Sequence, residues 1–145
     1  MSIRYYVDQD KQLVLTVIDG HVKLEHLFTY VDTAVSDSNL SDYSALIQIN
    51  VLNSSITSRE IAEVASRANA KPHNATYIRT AVVAPANLAY GLSRVYQSHR
   101  TPASNEFAVF REITEAANWL ELQDKDFDIE GIDSELWTTV APVLA

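Results

Sequence analysis

Gln12 to Ile18 reads Gln-Leu-Val-Leu-Thr-Val-Ile, apolar at nearly every position. A strand with one wet face alternates apolar with polar residues, so a run without alternation predicts a strand covered on both sides. Such a strand needs partners beside it and a layer on each face. Ahead of it, Ile3, Tyr5 and Val7 alternate with Arg4, Tyr6 and Asp8, which is strand periodicity. Asp8-Gln9-Asp10-Lys11 supplies a turn between the two, predicting an opening β-hairpin, and Asp19-Gly20 ends it.

The period then switches repeatedly between helix and strand. Lys23 to Val35 places Leu24, Leu27, Phe28, Val31 and Val35 on one helical face. Ala45 to Val51 reads as a third strand. Thr57-Ser58-Arg59-Glu60 is a capping box opening a helix that buries Ile61, Val64, Ala65 and Ala68 and stops at Pro72. Tyr77 to Ala84 is a fourth strand closed by Pro85, and Asn87 to His99 a third helix. Phe107 to Phe110 and Glu112 to Leu120 give a last strand and helix. The order ββαβαβαβα predicts an α/β fold: one mostly parallel sheet of four or five strands, opened by a hairpin, with helices mainly on one side. Residues 1–121 form the expected domain. Residues 122–145, acidic and then apolar, read as an appendage. Trp137 and its apolar neighbours would dock on the parent domain or on a second copy, giving a homodimer.

Composition narrows the function. A chain of 145 residues can bury a core without disulfides or metal. It has no cysteine, which excludes disulfide frameworks, thiolate metal sites and cysteine nucleophiles and fits a reducing, cytoplasmic setting. Met1 to Asp10 carries no basic and then apolar leader, and no apolar run approaches the roughly 20 residues of a bilayer span, so neither export nor membrane insertion is expected. The net charge is −8, of which residues from Glu121 onward carry −6. Without a basic stripe to neutralise phosphates, nucleic acid is not an expected partner.

No catalytic or cofactor constellation emerges. A Gly-x-Ser-x-Gly elbow is absent, and His21, His26, His73 and His99 sit in separate elements. The three glycines, Gly20, Gly91 and Gly131, are too far apart to cradle a phosphate, so no nucleotide cofactor is expected. Asp124, Asp126, Asp128 and Glu135 match ligand positions of a calcium loop, but Ile129 stands where its sharp turn needs glycine. The run reads as a solvated linker and no metal is expected. The chain is expected not to be an enzyme.

Two places read as interaction sites. Tyr90, Arg94 and Gln97 share a face of the third helix, and an aromatic beside an arginine is a common interface anchor. Gly91 within that helix implies that something approaches it closely, most simply the sheet. Ser54, Ser55 and Thr57 lie at the start of the second helix, where the helix end favours a phosphate.

Val82-Val83-Ala84-Pro85-Ala86-Asn87-Leu88-Ala89-Tyr90-Gly91-Leu92-Ser93-Arg94-Val95-Tyr96, with Val109-Phe110-Arg111 and Ala117-Asn118-Trp119-Leu120, resembles a family of small STAS-like bacterial proteins. Their fold is similar to that of the anti-sigma factor antagonists (SpoIIAA-like). The resemblance implies a non-enzymatic regulatory or scaffolding module that binds a protein partner. It also implies a phosphorylation site at the start of the second helix, where Ser54, Ser55 and Thr57 lie. Asn53-Ser54-Ser55-Ile56 stands in place of the antagonists' Asp-Ser-Ser-Gly type motif. The alternative is a small-molecule or lipid carrier, for which Tyr5, Tyr6, Phe28, Tyr30 and Phe110 are the aromatics available to line a pocket.

Overall fold

The computed structural model describes residues 2–35, 37–50, 55–71, 77–101, 106–123 and 128–141. The hairpin is β1 (Ser2–Asp8) and β2 (Leu13–Asp19). It is followed by α1 (Leu24–Tyr30), β3 (Ser44–Ile49), α2 (Ser58–Asn69), β4 (Arg79–Val83), α3 (Asn87–His99), β5 (Glu106–Phe110), α4 (Ile113–Trp119) and β6 (Thr138–Ala141). The helix expected to reach Val35 does so, but widens into a π-helical turn over Val31–Val35. The expected strand end at Val51 and helix stop at Pro72 lie outside the described residues.

The strands form one sheet in the order β5-β4-β3-β2-β1-β6. The pairs β2–β3, β3–β4 and β4–β5 are parallel, and β1 pairs antiparallel with both β2 and β6. The sheet is therefore mixed and six-stranded, where the sequence led us to expect four or five mostly parallel strands. The extra strand comes from the C-terminal segment, whose short Thr138–Ala141 run is too brief to show a period.

The continuously apolar run behaves as its sequence demands. Leu13 through Ile18 are all buried, between 0% and 5% exposed. Successive residues of β2 feed opposite faces. Val14 and Ile18 join the cluster that Tyr30, Ile61 and Ala89 complete from α1, α2 and α3. Leu13 and Leu15 join a second cluster with Leu46, Ala81 and Val83, covered by Ala116 of α4, its C-cap Leu120, and Ile129, Ile132 and Trp137. Three helices thus cover one face. The other is covered by α4 together with the C-terminal segment.

The segment set apart as an appendage is built into the sheet between residues 128 and 141. Trp137 packs on Tyr6, ring centroids 6.2 Å apart, and lies under the Arg4 guanidinium at 4.5 Å. The turn into it is a Schellman closure of α4: Leu122 N–H donates to Ala117 O and Glu121 N–H to Asn118 O. Glu121 takes the left-handed conformation this closure needs, at φ 62°. Leu122 then packs into the second cluster. Asp128 caps the next short turn, accepting from Gly131 N–H, so this acid is used structurally. Asp124 and Asp126 lie outside the described residues.

The capping box forms as expected. Thr57 Oγ1 accepts from Glu60 N–H at 3.2 Å, and Thr57 N–H donates to Glu60 Oε1 at 2.9 Å. Gly91 corrects an expectation. It is exposed on α3, and a Cβ built there meets nothing within 4 Å, so no close approach explains it. Glycine at a helix interior costs about 1 kcal/mol against alanine. Gly91→Ala should therefore raise the unfolding free energy by up to about 1 kcal/mol in urea titration; an unchanged or lower value would mean the residue meets a constraint at this position.

Candidate functional site

Between the sheet and the helices α1 to α3 lies a cavity of about 150 Å³. Interiors normally hold few voids larger than a water molecule. Its sheet wall is Ile18, Ile47, Ile49, Thr80, Val82 and Phe107. α2 contributes Ile61 and Val64, and α3 contributes Leu88, Ala89, Leu92, Ser93 and Tyr96. These α3 positions recur at the helical period, so the sequence string that carries the family resemblance supplies one wall of the cavity.

The cavity has two chemically different ends. Ile18 and Ile49 are register neighbours where β2 and β3 end, and Val22, Ile56 and Leu88 close that end. Leu88 is 43% exposed, which places it at a rim. Thr80 and Phe107 are register neighbours near the start of β4 and β5, and beside them lie Tyr77 and Arg100. α3 runs back along the sheet, so its C-cap Arg100 arrives at this second end. Arg100 is the one charged residue among the described lining residues. Its Nη1 donates to Asn69 Oδ1 at 3.0 Å, and its guanidinium lies 6.0 Å from the Tyr96 ring centroid.

Two tyrosine hydroxyls of this region are internally satisfied. Tyr30 donates to Thr16 Oγ1 at 3.3 Å, and Tyr77 donates to Ala34 O at 3.2 Å. Burial pushes both phenols above their ordinary value of 10.0. Of the aromatics expected to line a pocket, only Tyr30 does. Tyr6 and Phe110 belong to the opposite cluster, and Phe28 lies under the Arg67 guanidinium at 4.7 Å. Tyr5 packs against the first cluster outside the lining. The strand period tells Tyr5 from Tyr6, but sequence cannot say where along a face a void falls.

The expected interaction residues are partly brought together. Arg94 Nη1 approaches the Tyr90 hydroxyl at 3.4 Å, and Arg111 stacks on the Tyr90 ring at 4.8 Å. Arg111 also donates to Pro85 O and Asn87 Oδ1, both at 2.8 Å, which sequence reasoning missed. Gln97 points elsewhere: its Nε2 donates to Phe107 O of the edge strand β5 at 2.9 Å. At the start of α2, Ser55 is exposed, the Thr57 side chain is engaged in the capping box, and Ser54 lies outside the described residues. Among the described residues no cluster of histidine, aspartate and glutamate could hold a metal ion, and no helix is long and apolar enough to cross a membrane.

The buried phenols generate a pH prediction. Because folding raises their pKa, they contribute stability fully present below about pH 10, the unfolded value, and lost as pH rises past it. Stability should therefore fall above about pH 10, with a shallower fall in Tyr30→Phe, measured by urea titration across pH 8 to 11. Equal slopes for variant and wild type would contradict this.

No protein family, curated protein or solved structure matches the chain.

Proposed function

We propose that the chain is a non-enzymatic binding module whose cavity takes up a small, largely apolar molecule. The observation that carries this reading is the cavity of about 150 Å³ between helices and sheet. The void opens to solvent at its Leu88 rim, but most of its lining is apolar, so water entering it finds few of the two to four polar partners an ordered water needs. A hydrocarbon group needs none, and an apolar cavity of similar size binds benzene in another protein. The non-enzymatic part is supported by the described lining residues, among which no histidine or carboxylate stands to activate Ser93.

Benzene is the direct probe. It should raise the thermal midpoint by a few degrees through linkage and shift the methyl resonances of Ile47, Val82 and Leu92. Ala89→Leu, which extends a lining side chain inward, should unfold no more easily than wild type and lose the benzene response. Benzene without effect on the wild type would remove this reading.

A STAS-like membership is also proposed. It is supported by the quoted α3 string and by strands β1 to β5 lying side by side in chain order, with an opening hairpin.

A second reading, a regulatory module that binds a protein partner, is favoured by one observation. Tyr90 is flanked by two guanidiniums, those of Arg94 and Arg111, and Arg94 is exposed. Gln97 is not part of that surface. Phosphate on exposed Ser55 would sit just ahead of α2, whose end favours negative charge, whereas phosphate on Thr57 would displace the cap. Arg94→Glu should abolish capture of a partner from lysate while leaving the circular dichroism spectrum unchanged; undiminished capture would move the interface off α3.

A further inference from the structure

We infer that the cavity takes an amphiphile with an anionic head, oriented so that a carboxylate meets Arg100 and the hydrocarbon points toward Leu88. This rests on the cavity reading above and goes beyond it by fixing the ligand's charge and direction.

The polarity of the lining is one-sided. Ile18, Val22, Ile49, Ile56 and Leu88 give the end near the close of the strands an entirely aliphatic wall. Thr80, Tyr77 and Arg100 give the opposite end its polar groups. Two of the hydroxyls in this region are already used. The Tyr77 hydroxyl already donates to Ala34 O and that of Tyr30 to Thr16 Oγ1. Arg100 differs. A guanidinium presents five N–H donors in a planar fork, and among the described residues only Nη1 is hydrogen-bonded, to Asn69 Oδ1. Among the described residues that line the cavity, no acidic side chain is present as a counter-ion to this charge. The same Asn69 oxygen also accepts from Thr101 N–H, and Asn69 Nδ2 donates to His99 O, which holds the arginine's base in place. A carboxylate matches the fork bidentately, and such charge-assisted bonds are the stronger kind.

The volume sets the size. At about 150 Å³ the cavity suits one aromatic ring or a short chain, not a two-chain lipid. Octanoate, octan-1-ol and acetate therefore separate head from tail.

Dissociation constants of the three on the full chain, measured by isothermal titration calorimetry, are the test. Octanoate should bind roughly tenfold or more tighter than octan-1-ol, and acetate far more weakly than either. Arg100→Gln should erase the octanoate advantage while leaving octan-1-ol unchanged, and Arg100→Lys should retain part of it. Octanoate binding no tighter than octan-1-ol, on a wild type that does bind octan-1-ol, would overturn the head-group assignment alone. Acetate binding as tightly as octanoate would overturn it too, by reducing Arg100 to a surface anion site. Failure of both eight-carbon probes would remove the cavity reading with it. The wild-type comparison decides the matter even if Arg100→Gln does not fold.

Discussion

Everything in this fold depends on the burial of β2 on both faces. Leu13 to Ile18 remove six consecutive side chains from water, five of them aliphatic. Burying an aliphatic side chain contributes roughly 1.5–3 kcal/mol, so this strand alone supplies a gross stabilisation on the order of 10 kcal/mol before chain entropy is subtracted. The burial requires a neighbour on each edge and a layer on each face. β1 and β3 flank it; α1 to α3 cover one face, and α4 with the C-terminal segment covers the other. The single polar residue of the run, Thr16, is tolerated because the Tyr30 hydroxyl reaches it from α1.

This dependence explains what was legible in the sequence. Elements whose period is set by deep burial were readable: β2 from its unbroken apolar run, α2 from its capping box and α3 from Asn87 to His99. The sixth strand was not. Only four residues long and at an edge, it is fixed by tertiary contact, through Trp137 on Tyr6 and Arg4. Gly91 misled for a related reason. A helical glycine signals either close packing or nothing in particular, and here its surroundings are open. On α3, the i, i+4, i+7 spacing shows that Tyr90 and Arg94 are neighbours. It could not foresee that Gln97 is drawn to the backbone of β5, or that Arg111 arrives from the next loop.

The cavity was invisible for a deeper reason. Sequence periodicity reports which side chains face inward, and the cavity's aliphatic lining residues do so apart from Leu88 at the rim. It does not report whether those side chains meet. Here Ala89 and Ser93 of α3 and Val82 and Thr80 of β4, small and medium residues, line the same void. Small residues on a helix face normally let it approach its neighbour. Large ones nearby hold it off: Tyr96 packs on Phe107 with centroids 5.3 Å apart, and Tyr90 lies between Arg111 and the core. Between these two aromatic contacts on α3 lie Leu92 and Ser93, both of which line the cavity.

That arrangement makes α3 common to both functional readings. Leu88, Ala89, Leu92, Ser93 and Tyr96 face the cavity, while Tyr90 and Arg94 lie on the adjoining face. A ligand that filled the gap would bear on the helix that presents the arginine. If a partner also engages Arg94, the two events share one rigid element. Linkage then requires that whatever the ligand does to the partner's affinity, the partner does to the ligand's by the same factor. The size of that coupling is bounded by how far α3 can move, and its two attachments differ. At its start, Arg111 ties Pro85 and Asn87 to the loop after β5 through two hydrogen bonds. At its end, Asn69 of α2 bonds to His99 O, to Arg100 Nη1 and to Thr101 N–H, and Gln97 donates to Phe107 O of β5. A ligand drawn to Arg100 would therefore act on the more firmly anchored end of α3, away from Arg94's neighbour Arg111, so the coupling would have to pass along the helix itself.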